Sequence, residues 1–127
     1  MSVDVLIVED NDKNRKLFRD VLQYHGYRTL EASTSAQGIE LALSERPQLV
    51  LMDIQLPDAD GITSLHQLRT APEPFDGAVV ALTAYAMKDD AERFLRAGFD
   101  GYISKPINIL EFPHQVQRFC ETAEPRR

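Results

Sequence analysis

The sequence predicts an α/β fold: a single doubly wound, five-stranded parallel sheet covered by five helices. Leu49-Val50-Leu51-Met52 and Ala78-Val79-Val80-Ala81-Leu82 are continuous apolar runs without helical spacing, as strands buried on both faces read. Strand-like and helix-like segments alternate five times, the pattern of right-handed crossovers between parallel strands. Several strands also end in polar residues, so one end of the sheet collects the chemistry.

Val3-Asp4-Val5-Leu6-Ile7-Val8 is the first strand, β-branched and running into Glu9-Asp10. Asn11 and Asp12 offer caps to a helix whose stripe of Leu17, Phe18, Val21 and Leu22 stops at His25-Gly26. Tyr27 to Ala32 alternates in part, as an edge strand does. Ser33-Thr34-Ser35 caps a second helix carrying Ile39, Leu41, Ala42 and Leu43, in which Gly38 lowers the propensity without ending the helix. Pro47 precedes the third strand, which ends in Asp53 and the turn Pro57-Asp58-Ala59-Asp60-Gly61. Ile62, Leu65 and Leu68 mark the third helix, closed by Pro72 and Pro74.

The fourth strand ends at Thr83, and Lys88-Asp89-Asp90 opens a fourth helix with Ala91, Phe94 and Leu95 inward. Gly101-Tyr102-Ile103-Ser104 is a short fifth strand running into Lys105-Pro106. The last helix places Ile109, Phe112, Val116, Phe119 and Cys120 on one face. Pro113 is out of keeping, because past the first turn a proline loses a hydrogen bond and clashes with the preceding turn. Either the helix starts near Phe112 or its first turn is distorted. Residues 1–123 form one domain, and the polar end, 124–127, is expected to fray.

A length of 127 residues suits one core. Fourteen basic residues against twenty acidic ones give a net charge of −6, which opposes binding to nucleic acid or an anionic membrane. Cys120, the single cysteine, excludes an internal disulfide and a cysteine-built zinc site, and fits a reducing cytosol. No apolar run approaches the roughly twenty residues of a membrane span, and the start lacks a signal peptide's pattern. The expectation is a soluble, cytoplasmic protein. His25, His66 and His114 share no ligand spacing, and Arg15, Lys16 and Arg19 read as a solvated helix face.

The polar strand ends define the candidate site. Strand one ends in Glu9-Asp10, strand three in Asp53, strand four in Thr83 and strand five in Lys105. Three crowded carboxylates repel unless a cation neutralises them, and their oxygens suit a hard ion such as Mg²⁺. With the Lys105 ammonium and the Thr83 hydroxyl, the surroundings of Asp53 suit a tetrahedral dianion. A carboxylate is a recognised nucleophile for phosphoryl groups.

Val8-Glu9-Asp10-Asn11, Met52-Asp53-Ile54-Gln55-Leu56-Pro57, Leu82-Thr83-Ala84 and Ser104-Lys105-Pro106, in this order and spacing, resemble the receiver domain of two-component response regulators. The resemblance covers nearly the whole chain. It is closest to the stand-alone regulators of the CheY and DivK kind, and Glu9-Asp10-Asn11-Asp12 with Ile103-Ser104-Lys105-Pro106-Ile107 leans towards the latter. It implies the strand order 2-1-3-4-5 and phosphorylation of Asp53 by a histidine kinase or histidine phosphotransfer protein. Mg²⁺ or Mn²⁺ would be held by Asp10, Asp53 and the main-chain carbonyl of Gln55, with Glu9 on metal-bound water. Thr83 and Lys105 would contact the phosphoryl oxygens, Lys105-Pro106 would be a cis bond, and Tyr102 would be the aromatic switch. Output would be protein binding at the face of helix four, strand five and helix five, by a monomer. Helix one, with Asn14, Arg15 and Phe18, would dock the phosphodonor, and Tyr85 would shield the phosphoryl group from water.

Three rivals fit less well. A flavodoxin-like flavin protein wants a Ser/Thr/Gly-rich phosphate loop where this chain has carboxylates. An aspartyl-phosphate phosphohydrolase usually has a second acid where Gln55 stands. A degenerate receiver would lack acceptor-site residues that are all present here.

Overall fold

The computed structural model describes residues 4–84 and 88–122. Tyr85 and the tail 124–127 lie outside the described residues. The strands are β1 (Val5–Val8), β2 (Thr29–Ala32), β3 (Leu49–Asp53), β4 (Ala78–Thr83) and β5 (Gly101–Ser104). Between and after them run α1 (Asp12–Tyr24), α2 (Ser35–Glu45), α3 (Gly61–Thr70), α4 (Lys88–Ala97) and α5 (Phe112–Thr122). The five strands are parallel, in the order β2-β1-β3-β4-β5. The chain direction across the sheet therefore reverses between β1 and β3, which opens a crevice at their carboxyl ends.

Each face of the sheet has its own core. Leu6, Val8, Val50, Met52, Val79 and Ala81 pack with Ala42, Leu65, Leu68 and Phe94 from α2, α3 and α4. Val5, Ile7, Leu49, Leu51, Val80 and Leu82 pack with Phe18, Leu22, Phe112 and Val116 from α1 and α5. The two-residue period of a strand sends neighbours to opposite faces, so β1, β3 and β4 must be apolar throughout. Gly38 lets α2 close on the sheet, since a Cβ there would stand 2.7 Å from a Val8 methyl.

The ends differ in detail from the sequence pattern. Strand β2 starts at Thr29 rather than Tyr27. Pro113 is buried in the first turn of α5, where no intrahelical bond to its nitrogen is needed, and Phe112 opens the helix. Ile109 precedes α5 and is 54% exposed, while Leu17 and Leu95, expected inward, are 37% and 50% exposed. Leu17 and Leu95 lie at the flanks of the buried stripes of α1 and α4, where the sheet no longer covers them.

At the amino ends of the strands, guanidinium groups tie the loops together. Arg46 donates to the carbonyls of Glu73 and Pro74 at 2.9 and 2.8 Å. Arg69 donates to the carbonyls of Phe75 and Gly77 and to Asp100. No helix among the described residues is long and apolar enough to cross a membrane.

Candidate functional site

A cleft of about 260 Å³ opens at the carboxyl ends of β1, β3, β4 and β5, lined by Glu9, Asp10, Asp53, Gln55, Thr83 and Lys105 among others. Each comes from a different strand exit, except that Glu9 and Asp10 both follow β1 and that Gln55 lies two residues beyond Asp53. Glu9, Asp53 and Thr83 form a buried floor at 0%, 4% and 2% exposure, whereas Asp10 and Gln55 stand at the open rim. The sheet imposes this arrangement, because parallel neighbours in register deliver their last residues to one level.

Lys105 bridges the floor. Its Nζ donates to Glu9 Oε1 and to Asp53 Oδ2, both at 3.0 Å. The other Asp53 oxygen, Oδ1, accepts from the Gln55 N–H at 2.9 Å, so both carboxylate oxygens are oriented. Burial pushes the Glu9 carboxyl up to about 7, and the neighbouring Asp53 adds to the rise against the pull of Lys105. Desolvation alone would lower the Lys105 ammonium, but its bonds to Asp53 and Glu9 prevail and raise it. The Lys105–Pro106 peptide bond is cis.

Glu9, Asp10 and Asp53 each bring a carboxylate oxygen to within 4.8 Å of the others. Three carboxylates beside one ammonium leave a formal excess of two negative charges, which a divalent cation offsets. All the donors are hard oxygens, the set that suits Mg²⁺ or Mn²⁺ rather than a thiophilic ion.

Other expectations need revision or extension. Arg15 is not part of a solvated face: its side chain is 20% exposed, it donates to the Glu9 carbonyl at 3.0 Å, and it pairs with Asp12 and Glu31. It braces the Glu9–Asp10 segment through the Glu9 carbonyl. Arg19 also pairs with Glu31. Tyr102 lies on edge strand β5, 36% exposed, away from the floor. His25 and His114, distant in sequence, border one groove with Tyr24 and Leu110, and among the described residues the only metal-compatible group is the acidic one. Sequence reasoning missed the role of Asp58 in holding the loop after β3, because its partners lie more than twenty residues away.

A sequence model described as the response regulator receiver domain matches residues 5–117. The polar-differentiation response regulator DivK of Brucella anthropi is 41% identical over 123 residues, 97% of this chain and 100% of that protein. Among solved structures, the receiver domain of sensor histidine kinase PA1611 from Pseudomonas aeruginosa, described with a magnesium ion coordinated in its active-site cleft, is 30% identical. Its TM-score is 0.84, with 96% of this chain and 100% of that chain covered. The receiver domain of Saccharomyces cerevisiae Ssk1, solved with the histidine phosphotransfer protein Ypd1, is 26% identical with a TM-score of 0.82, covering 93% of this chain and 88% of that chain. Sheet order, acidic cleft and these likenesses agree, and the chain belongs to the response regulator receiver domains of two-component signalling.

Proposed function

We propose that the protein accepts a phosphoryl group on Asp53 from a phosphohistidine of a histidine kinase or phosphotransfer protein. It then signals by binding a protein target preferentially in the phosphorylated form. The observation that carries this reading is the buried Asp53 carboxylate, held at both oxygens by Lys105 and the Gln55 N–H beside Glu9 and Asp10. In the transfer, an O–P bond forms at Asp53 as the donor's N–P bond breaks, and the leaving imidazole keeps the electron pair and takes up a proton. Lys105 turns its charge to the phosphoryl oxygens, and the Thr83 hydroxyl donates to one of them. Asp10, Asp53 and the Gln55 main-chain carbonyl, backed by Glu9, hold Mg²⁺ or Mn²⁺, which supplies the neutralising charge. Self-catalysed transfer and hydrolysis are the domain's only chemistry.

The donor docks beside the cleft, where Asn14, Leu17, Phe18, Pro106 and Ile107 border a groove of about 340 Å³ that Lys105 also lines. The Ypd1–Ssk1 complex supports a phosphotransfer partner of this kind. Output uses α4, β5 and α5, with Tyr102 turning inward as Thr83 moves towards the phosphoryl group. The protein acts as a cytoplasmic monomer, and its net charge of −6 disfavours nucleic acid and membrane partners.

Intact mass after treatment with a small phosphodonor tests the acceptor. The parent gains one phosphoryl group only when Mg²⁺ is present, and Asp53→Asn gains none. Equal uptake by the variant overturns the assignment.

A further inference from the structure

The loop between β3 and α3 carries Gln55, and it is closed on itself before being fastened to another helix. Ile54 N–H donates to the Leu82 carbonyl at 3.0 Å, prolonging the β3–β4 ladder, and Gly61 N–H donates to the Ile54 carbonyl at 2.8 Å. Gln55 and Asp60 form an antiparallel bridge across the stem. A Cβ at Gly61 would stand 3.0 Å from Ile54 Cα and 3.2 Å from the Asp53 carbonyl, so the stem closes tightly on a residue without a side chain.

The tip of the loop reaches α2. The two Asp58 carboxylate oxygens accept from the N–H groups of Ser35 at 2.8 Å and Ala36 at 3.0 Å. Thr34, the helix's own cap, accepts from the next amide, Gln37, at 3.2 Å. Amides of the first turn that the helix cannot satisfy itself are thus shared between a local residue and one from a distant loop. Beneath them, the buried hydroxyls of Ser35 and Ser64 lie 2.5 Å apart, and Ser64 Oγ donates to the Asp60 carbonyl at 2.9 Å. An anionic carboxylate at a helix N-terminus is charge-assisted and favoured by the helix dipole.

We propose that Asp58 is a positioning residue for the cation site: by gripping the first turn of α2 it fixes the loop that presents the Gln55 carbonyl to the cleft. The inference rests on the reading of Gln55 as a metal ligand. Asp58 touches neither cation nor phosphoryl group. It acts through the loop between β3 and α3, whose ends are already bonded at Ile54 and Gly61. Without it, the segment Leu56 to Ala59 loses its attachment to α2, and the carbonyl samples orientations that do not face Asp10 and Asp53.

Titration calorimetry with MgCl₂ on the whole chain, alongside amide hydrogen exchange, tests this. Asp58→Ala should weaken Mg²⁺ binding about tenfold, in the range seen when outer partners of metal ligands are removed. It should also speed exchange at Ser35 and Ala36. Asp58→Asn, which keeps one acceptor oxygen, should fall between, and it carries the test if Asp58→Ala does not fold. Thr34→Ala removes a bond from the same helix turn, so it should lower the melting temperature yet leave the Mg²⁺ affinity at the parent value. Parental affinity in both Asp58 variants overturns the inference, as does a Thr34→Ala variant that weakens Mg²⁺ as much as Asp58→Ala. A parent that binds no Mg²⁺ overturns the metal-site reading and the inference with it, whereas failure of the Asp58 variants alone leaves the metal-site reading standing.

Discussion

The interior strands of the sheet and its two edges are built to different standards. All five residues of β3 and all six of β4 are buried, and they end in Asp53 and Thr83. On the edges, β2 is half-buried over most of its length and β5 alternates buried with exposed. Its exposed residues include Tyr102, while Glu31 of β2 engages Arg15 and Arg19 across the flank of α1. The interior fixes coordinates; the edges offer surfaces. A reacting carboxylate must be placed to a fraction of an ångström, whereas a surface read by another protein needs residues free to change their environment.

Truncation should expose that contrast most clearly. Leu51→Ala, in the fully buried interior, should cost about 3 kcal/mol of stability, while Leu30→Ala on the half-buried edge should cost about 1 kcal/mol. Urea unfolding of both variants measures the pair, and equal losses would erase the distinction.

The interior also carries a charge penalty that the edges do not. With the Glu9 carboxyl raised from 4.5 to about 7, the folded chain binds a proton that the unfolded chain has released. This group's contribution to stability is therefore full below pH 4.5, falls as pH climbs towards 7, and is flat above. Metal-free protein should show a decline in melting temperature across that window that Glu9→Gln reduces. The gain on adding Mg²⁺ should grow over the same range, since the cation competes with the proton. A decline of the same size in Glu9→Gln counts against the assignment.

The smallest effect on stability belongs to Tyr102→Ala, about 0.5 kcal/mol or less for a partly exposed edge residue. Phosphoryl uptake at Asp53 should stay close to the parent rate. Affinity for a partner specific to the phosphorylated form, read by pull-down from phosphorylated and untreated protein, should drop. Unchanged affinity would remove Tyr102 from the output route.

Much of this was legible from residues alone. Continuous apolar runs identified the interior strands because a strand covered on both faces has no polar option, and the polar strand exits then marked the cleft. The neighbours of Asp53 needed no long-range guess, since parallel register brings strand ends together whatever the loops do. What stayed hidden depended on where elements stop covering one another. Periodicity put Leu17 and Leu95 on an apolar face, but the edge of that face extends past the sheet. Arg15 resembled any other helix cation until Glu31, from another strand, and the Glu9 carbonyl were found beside it. The Asp58 clamp joins segments of ordinary turn and cap composition, and nothing in either names the other.

The guanidinium ties of Arg46 and Arg69 have a consequence for how the molecule handles a change of state. An arginine keeps its charge at every pH a folded protein meets, and main-chain carbonyls do not titrate. The guanidinium-to-carbonyl bonds that hold the amino-end loops around Glu73, Phe75 and Gly77 are therefore ones that protons and cations cannot retune, although Arg69 also pairs with the Asp100 carboxylate. At the carboxyl ends, by contrast, carboxylates, an ammonium and a hydroxyl share one cleft. The molecule thus has one pole held largely by non-titrating bonds and one crowded with titratable groups, about a strand's length apart, and the first is a frame against which a displacement at the second would register.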